Sequence, residues 1–334
     1  MAEDPRLRAV RVADGQSLFD ALYEGDDAVV RLLRAGVSAE SVDAEGMSAL
    51  YLAAVSDRPG AVRLLLAAGA DPDRACGPES GDLPLCGAAC GGHTEVAEAL
   101  LAAGARPDLP EQFGFTALRW AVGLGHARTA GVLLAYGADP CRPGPEGEAP
   151  LLTAVRRGSS ATVRELLRHG AGARREVVEE ALGEARRLLD TDLEGELRAG
   201  LREVYGGGAA YEVVVRRDVV DGGETLTVEL VHEGQVFAGR DQQMGHGAIA
   251  TVLEGELGVR ASYEELARRA LRSGDPGLDN WRVAVEALAG RGDEETRQAA
   301  AAWRASGDAV RRAFGAEVAG ALPPHPRSPI ARGA

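Results

Sequence analysis

A five-fold repeat with a period of about 33 residues is the feature that most restricts how this chain can fold. Each copy contains a pair of leucines, and a glycine follows three residues after the second leucine. The glycines are spaced 33, 35, 33 and 33 residues apart, at Gly36, Gly69, Gly104, Gly137 and Gly170. Such regularity predicts a repeat architecture in which each unit packs on its neighbours.

Each repeat predicts two short antiparallel helices followed by a turn. Small alanine pairs such as Ala53/Ala54 allow the first helices to approach closely, and the leucine pair forms the apolar stripe of the second helix. Glycine ends that helix because the left-handed conformation costs little without a Cβ atom. Proline in AGADP (68–72) cannot continue a helix. Since one unit cannot bury its apolar face alone, we expect five units to stack as a solenoid.

These segments resemble the ankyrin repeat family. SALYLAA (48–54), GGHTEVAEALLAAGARPD (91–108) and GHARTAGVLLAYGADP (125–140) are similar to its T-P-L-H-x-A-A, G-H and L-L-x-x-G-A-D-x-N segments. The resemblance covers about residues 14–172. No repeat has the complete T-P-L-H motif, because the histidine is replaced in turn by Phe19, Tyr51, Cys86, Arg119 and Leu152.

The resemblance implies a protein-binding module. In this family a partner usually binds the concave side, which consists of the turn tips and the exposed positions of the first helices. Phe113 and Phe115 flank Gly114 on one tip, where turn chemistry does not require two aromatic residues. The alternative is that both rings fold back on the neighbouring turn, and we expect Trp120 to be packed. The candidate partner-binding residues are Met47, Glu79, Asp82, Gln112, Phe113, Phe115, Leu124, Glu146, Arg156 and Arg157.

Composition and charge exclude several classes of partner. The 37 basic residues are all arginine, and 51 acidic residues give a net charge of -14. This balance disfavours nucleic acid and anionic membranes as partners. No run approaches the roughly 20 apolar residues of a membrane span, the charged N-terminus MAEDPRLRAV lacks a signal core, and four cysteines make no disulfide framework. We therefore expect a soluble, cytoplasmic protein that binds another protein and has no membrane or nucleic-acid partner.

The second half of the chain predicts a different organisation. Apolar residues recur at helical spacing from Ala173 to Ala199, which indicates a helix that caps the last repeat, and we assign residues 173–204 to this capping or connecting helix. A glycine linker at 206–208 precedes two alternating β-branched runs joined by Asp221-Gly222-Gly223, which predict a hairpin, and QVFAGR from Gln235 is a candidate third strand. Helices are predicted at about 247–257, 262–272, 279–290, 293–305 and 307–321.

The last three of these helices resemble helices of HEAT-type repeats, on the evidence of Asp308, Val310, Arg311, Arg312 and Ala313. The predicted fold is mostly α: an ankyrin-repeat α-solenoid, then a small α+β module with HEAT-like terminal helices. The predicted divisions are an N-terminal segment (1–13), five ankyrin repeats (14–172), a capping or connecting helix (173–204), a hairpin-plus-helical domain (205–322) and a disordered tail (323–334).

The alternative function is an enzyme or small-ligand domain in residues 205–290, with the repeats recruiting substrate. His232, Arg240, Asp241 and His246 are its candidate pocket, offering a base and an anion-binding group beside the hairpin. The simpler interpretation is a strand-end histidine and a loop histidine without catalysis. We predict no catalytic set and no cofactor.

Three other patterns have simple explanations. His93 and His126 occupy the G-H position and are expected to stabilise turns. The set Cys76, Cys86, Cys90 and His93 has soft zinc ligands but no C-x-x-C spacing, so we predict no metal site. The dispersed arginine pairs, including Arg268/Arg269 and Arg311/Arg312, lie near acidic residues and indicate solvated faces with local ion pairs.

Overall fold

The computed structural model of the protein describes residues 18–77, 81–205 and 211–323. The chain divides into two compact units. The first is Met1–Arg157 with Thr162–Arg174, and the second is Gly158–Ala161 with Arg175–Ala334.

The described residues of the ankyrin-like half, 18–77 and 81–168, contain five helix pairs, as the repeat predicts. The first helices α3, α5, α7 and α9 pack side by side in one row, and the second helices α2, α4, α6 and α8 form a second row. The helices are α1 (residues 18–24), α2 (Asp26–Arg34), α3 (Ala49–Val55), α4 (Pro59–Ala67), α5 (Pro84–Gly91), α6 (Thr94–Ala102), α7 (Ala117–Leu124), α8 (Ala127–Ala135), α9 (Pro150–Arg157) and α10 (Ser160–Arg168).

Local chemistry explains where these helices begin and end. Ser48 caps α3 by accepting a 3.1 Å hydrogen bond from the Tyr51 amide, and Thr116 caps α7 in the same way. The five repeat glycines have φ between +92° and +99°. The predicted left-handed helix ends are therefore confirmed in all five repeats.

The two G-H histidines connect neighbouring repeats. His93 donates from Nε2 to the Val55 carbonyl at 3.2 Å, and His126 donates from Nε2 to the Cys90 carbonyl at 3.1 Å. Each carbonyl belongs to the first helix of the preceding repeat. The predicted structural role of both histidines is confirmed.

The second unit combines helices with one three-stranded sheet. Its elements are α11 (Arg175–Leu189), α12 (Leu193–Tyr205), β1 (Glu212–Val220), β2 (Gly223–His232), β3 (Gln235–Gln243), α13 (His246–Leu257), α14 (Tyr263–Leu271), α15 (Asp279–Arg291), α16 (Glu294–Arg304) and α17 (Ala309–Ala321).

The single helix predicted over 173–204 is two helices in the structure, which corrects that prediction. Helix α11 ends at Leu189. Asp192 then accepts a hydrogen bond from the Gly195 amide at 3.1 Å, which stabilises the start of α12. Helix α11 packs along α13, whereas α12 packs on β2 and β3. The two helices therefore bury their apolar residues against different elements of the second unit.

The predicted hairpin and its third strand are both present. The sheet is antiparallel with the order β1-β2-β3. Asp221 and Gly222 have φ values of +51° and +80°, the signature of a type I′ hairpin turn. One face of the sheet packs Val228 and Leu230 against Leu201 of α12.

Helices α14–α17 surround an aromatic core. Trp281, Trp303 and Phe314 are buried there, and the ring of Phe314 contacts both tryptophans at centroid distances of 5.1 and 5.3 Å. The observed bounds lie within two residues of those predicted from the sequence.

Helix α17 packs tightly against α16 at Gly315, so Gly315→Ala should destabilise the second unit. A Cβ atom there would lie 2.7 Å from the Trp303 Cβ and from the Arg304 amide nitrogen. We expect a loss of about 1–3 kcal/mol in urea unfolding, because overpacking outweighs the better helix propensity of alanine. The matched control is Gly320→Ala on the same helix, where nothing lies within 4 Å. Equal stability of the two variants would contradict this packing.

Candidate partner-binding surface

The candidate site is the first-helix surface, defined here by the exposed positions of α5, α7 and α9 and the turns that precede them. The turn before α7 shows how the backbone builds one tip. The Glu111 amide donates to the Phe115 carbonyl at 2.9 Å, and the Gly114 amide donates to the Glu111 carbonyl at 2.8 Å. Gly114 has φ of +81°, which glycine adopts without strain. This closed turn holds residues 112–114 at its tip.

The two phenylalanines of this tip have different environments. Phe113 is 69% exposed. Phe115 is half-buried, and its ring centroid lies 5.2 Å from that of Trp120. Phe115 therefore packs on the first helix of its own repeat rather than on a neighbouring turn, and Phe113 stays exposed. Trp120 is half-buried, consistent with the packing predicted for it.

Trp120 is held by the half-buried carboxylate of Glu111, a residue that is not among those predicted from the sequence. Its indole Nε1 donates to Glu111 Oε1 at 2.9 Å. Burial raises the pKa of Glu111, the Trp120 bond opposes this, and the charge of Asp82 adds to it. Burial, followed by the charge of Asp82, also raises the pKa of Tyr51 to about 12. Asp82 and Glu111 make no ion pair within the residues described, so this part of the surface is acidic and aromatic.

The next repeat carries a polar network centred on Glu148. Arg119, in the slot of the missing motif histidine, donates to Thr153 Oγ1 at 2.7 Å and to Glu148 at 3.3 Å. Thr153 donates to Glu148 at 2.6 Å, and Arg156 pairs with the other carboxylate oxygen. Arg156 is therefore engaged within the chain.

The ten predicted partner-binding residues fall into three groups. Gln112, Phe113, Leu124, Glu146 and Arg156 are exposed. Met47, Asp82, Phe115 and Arg157 are half-buried. Glu79 lies outside the described residues. Glu111 was missed because its role depends on Trp120, nine residues away; the turn pattern Glu-x-x-Gly was the only local signal.

The structure does not bring the four residues of the alternative pocket together. His232 pairs with Gln235 at one end of β2, whereas His246 follows Gln243, which pairs with Thr225 near the other end. Thr225 and His232 are seven positions apart along β2, which is on the order of 20 Å. His232 is exposed and His246 is buried. The pocket is therefore not formed by these residues.

The other two members of that set also diverge. Arg240 and Asp241 are consecutive in β3, opposite Val228 and Thr227. Consecutive residues of a strand point to opposite faces of the sheet. Arg240 and Asp241 therefore lie on opposite faces of the sheet and do not line one pocket.

The candidate zinc ligands are thiols in different environments. Cys76 and Cys86 are buried and Cys90 is exposed. Burial raises the pKa of the Cys86 thiol well above its usual range, so its thiolate form is disfavoured. Within the described ranges, no group of three or more His, Cys, Asp or Glu residues is placed to hold a metal ion.

Comparison with known families agrees with this architecture. The family model "Ankyrin repeats (3 copies)" matches residues 18–110 and again residues 85–177. Residues 18–177 therefore form ankyrin repeats, and repeats of this kind are general modules for protein–protein interaction. No curated protein matches the chain in a sequence search. Among the described residues, no helix is long and apolar enough to cross a bilayer.

Proposed function

We propose that the chain is an adaptor that binds a protein partner on the first-helix surface, centred on the third and fourth repeats. The observation that carries the proposal is Phe113, which is 69% exposed at a turn tip beside the half-buried Phe115 and Trp120. A closed turn holds this aromatic ring in water, so covering the ring with a partner lowers the free energy of the complex. Exposed aromatic residues are the commonest anchors of protein interfaces.

The surroundings of Phe113 favour a partner with a mixed apolar and basic surface. Leu124 at the end of α7 is also exposed and adds apolar area. Asp82 and Glu111 supply negative charge without an ion pair inside the described parts of the chain. A basic residue of the partner next to its apolar patch would complement both features.

Phe113→Ala should weaken partner binding at least tenfold, which corresponds to about 1.4 kcal/mol. The matched control is Tyr136→Ala, an exposed aromatic residue of the same repeat at the end of α8, in the row of second helices. The partner is first captured from native cells with the wild-type chain, then purified, and its dissociation constant is measured for each variant.

Leu124→Ala should have a smaller effect in the same direction, and circular dichroism should show all three variants folded. A partner whose affinity falls with Tyr136→Ala and not with Phe113→Ala would show that it binds the second-helix row. That result would overturn the proposed surface.

The proposal includes the compartment and the excluded partners. All four cysteines are free, as expected for a protein in the reducing cytoplasm. The net charge of -14 supports a protein partner rather than nucleic acid. No observation favours the enzyme alternative at residues 205–290, because its candidate residues are apart. The resemblance of α15–α17 to HEAT-type repeats stays a prediction, since the family match ends at residue 177.

A further inference from the structure

The second unit contains a cavity lined mainly by arginines, three of which (Arg268, Arg269 and Arg311) were predicted from the sequence to lie on solvated faces. The cavity has a volume of about 640 Å³, within the range of small-molecule sites. It lies among the end of α11, helix α14 and the start of α17. Its walls are Leu189, Glu264, Arg268, Arg269, Leu271, Arg272 and Arg311. Four positive charges thus face one negative charge, in a chain that is acidic as a whole.

Two of these arginines are already neutralised. Arg269 is 3% exposed and binds Glu254 through two parallel hydrogen bonds of 2.7 and 2.8 Å. Arg268 pairs with Glu265 at 3.0 Å. These ion pairs fix the cavity wall and leave little positive charge for a ligand.

The other two arginines keep unused donors. Arg272 makes no ion pair within the residues described, and its guanidinium donates to the Leu189 carbonyl. Arg311 pairs with Glu264, which is 68% exposed, so solvent screens this attraction. The Nε atom of Arg311 is buried without a hydrogen-bond partner in the described ranges. A guanidinium has five N–H donors, so both side chains retain several for a ligand.

We propose that this cavity binds a small molecule carrying a phosphate group. The phosphate would accept hydrogen bonds from Arg272 and Arg311, because guanidinium groups match phosphate oxygens in bidentate geometry. Leu189 and Leu271 form an apolar wall for the rest of the molecule. The site is independent of the first-helix surface and of the proposed adaptor function.

The test is calorimetric titration of the full chain with phenyl phosphate, which combines a phosphate and an apolar group. We expect saturable binding at one site, weaker binding of inorganic phosphate, and weaker binding of benzoate. Arg272→Gln, which keeps most of the side-chain length, and Arg311→Ala should each reduce the affinity for phenyl phosphate at least about tenfold.

Arg304→Ala is the matched control. Arg304 ends α16, is exposed, and does not line the cavity, so its removal deletes the same charge without touching the site. Its affinity should stay within twofold of the wild type. Absence of saturable binding, benzoate binding as tight as that of phenyl phosphate, or an equal loss in Arg304→Ala and Arg272→Gln would each overturn the proposal.

Discussion

Replacing Glu254 with glutamine should lower the free energy of unfolding of the second unit by about 3 kcal/mol at pH 7. Glu254 and Arg269 are each only 3% exposed, and Arg186 of α11 donates to the same carboxylate at 2.8 Å. Removing one partner of a buried ion pair leaves the other charge without compensation. The loss is at the low end of the range for such pairs, because Glu265 still binds Arg269 Nε at 2.9 Å.

The effect of Glu254→Gln should shrink as the pH falls. Burial opposes ionisation of Glu254, but the hydrogen bonds and charges of Arg269 and Arg186 outweigh it and lower its pKa below 4.5. A carboxyl with a lowered folded-state pKa stabilises the protein above its unfolded-state pKa, and this stabilisation is lost as pH falls through the folded-state value. The stability difference between the wild type and the variant should therefore begin to shrink once the pH falls below about 4.3, the ordinary pKa of glutamate, and should disappear only below the lowered folded-state pKa.

The measurement is urea unfolding followed by tryptophan fluorescence in a Trp120→Phe background. Of the three tryptophans, only Trp281 and Trp303 then remain, and both belong to the second unit. The control is Glu256→Gln, which removes an exposed carboxylate from the same helix and should change stability by less than about 0.5 kcal/mol. An equal effect of the two substitutions, or a difference that does not depend on pH, would count against a buried ion network.

Sequence was sufficient for features determined by local chemistry. The repeat glycines adopt positive φ to end each second helix. Because the leucine pair and glycine recur five times at nearly constant spacing, the sequence predicts a solenoid of stacked repeats. Asp221-Gly222 specified a hairpin turn for the same reason, because both residues tolerate positive φ. In each case the decisive residues are neighbours in the chain.

Sequence was insufficient where distant residues decide the environment. The pair Arg268/Arg269 predicts a solvated face, which is correct for Arg268 and wrong for Arg269. Arg269 lies on the face of α14 that also buries Leu266 and Ala270, and its partner Glu254 belongs to another helix. Nothing in the local pattern distinguishes the two arginines. The cavity could not be predicted from the sequence for the same reason, because Arg272 and Arg311 come together only when α14 packs on α17.

Phe314→Ala should destabilise the second unit at least as much as Glu254→Gln does, with a loss of about 3–5 kcal/mol in the free energy of unfolding. Phe314 is fully buried and lies between Trp281 and Trp303, so the substitution removes two ring contacts and opens a cavity in the core of the second unit. Buried ring pairs contribute about 0.5–1.5 kcal/mol beyond their area. The helices α15, α16 and α17 all lose packing, and the fluorescence of both tryptophans should shift toward that of the unfolded chain.

The matched control for Phe314→Ala is Phe237→Ala in the same unit. Phe237 is 56% exposed, although its ring contacts Tyr205 at the end of α12 and Tyr211 just before β1. Because most of its surface is already in water, the same substitution there should cost less than about 1 kcal/mol in the same urea titration. Equal costs for Phe237→Ala and Phe314→Ala would contradict this prediction, because the buried core of α14–α17 would then contribute no more to stability than an exposed ring.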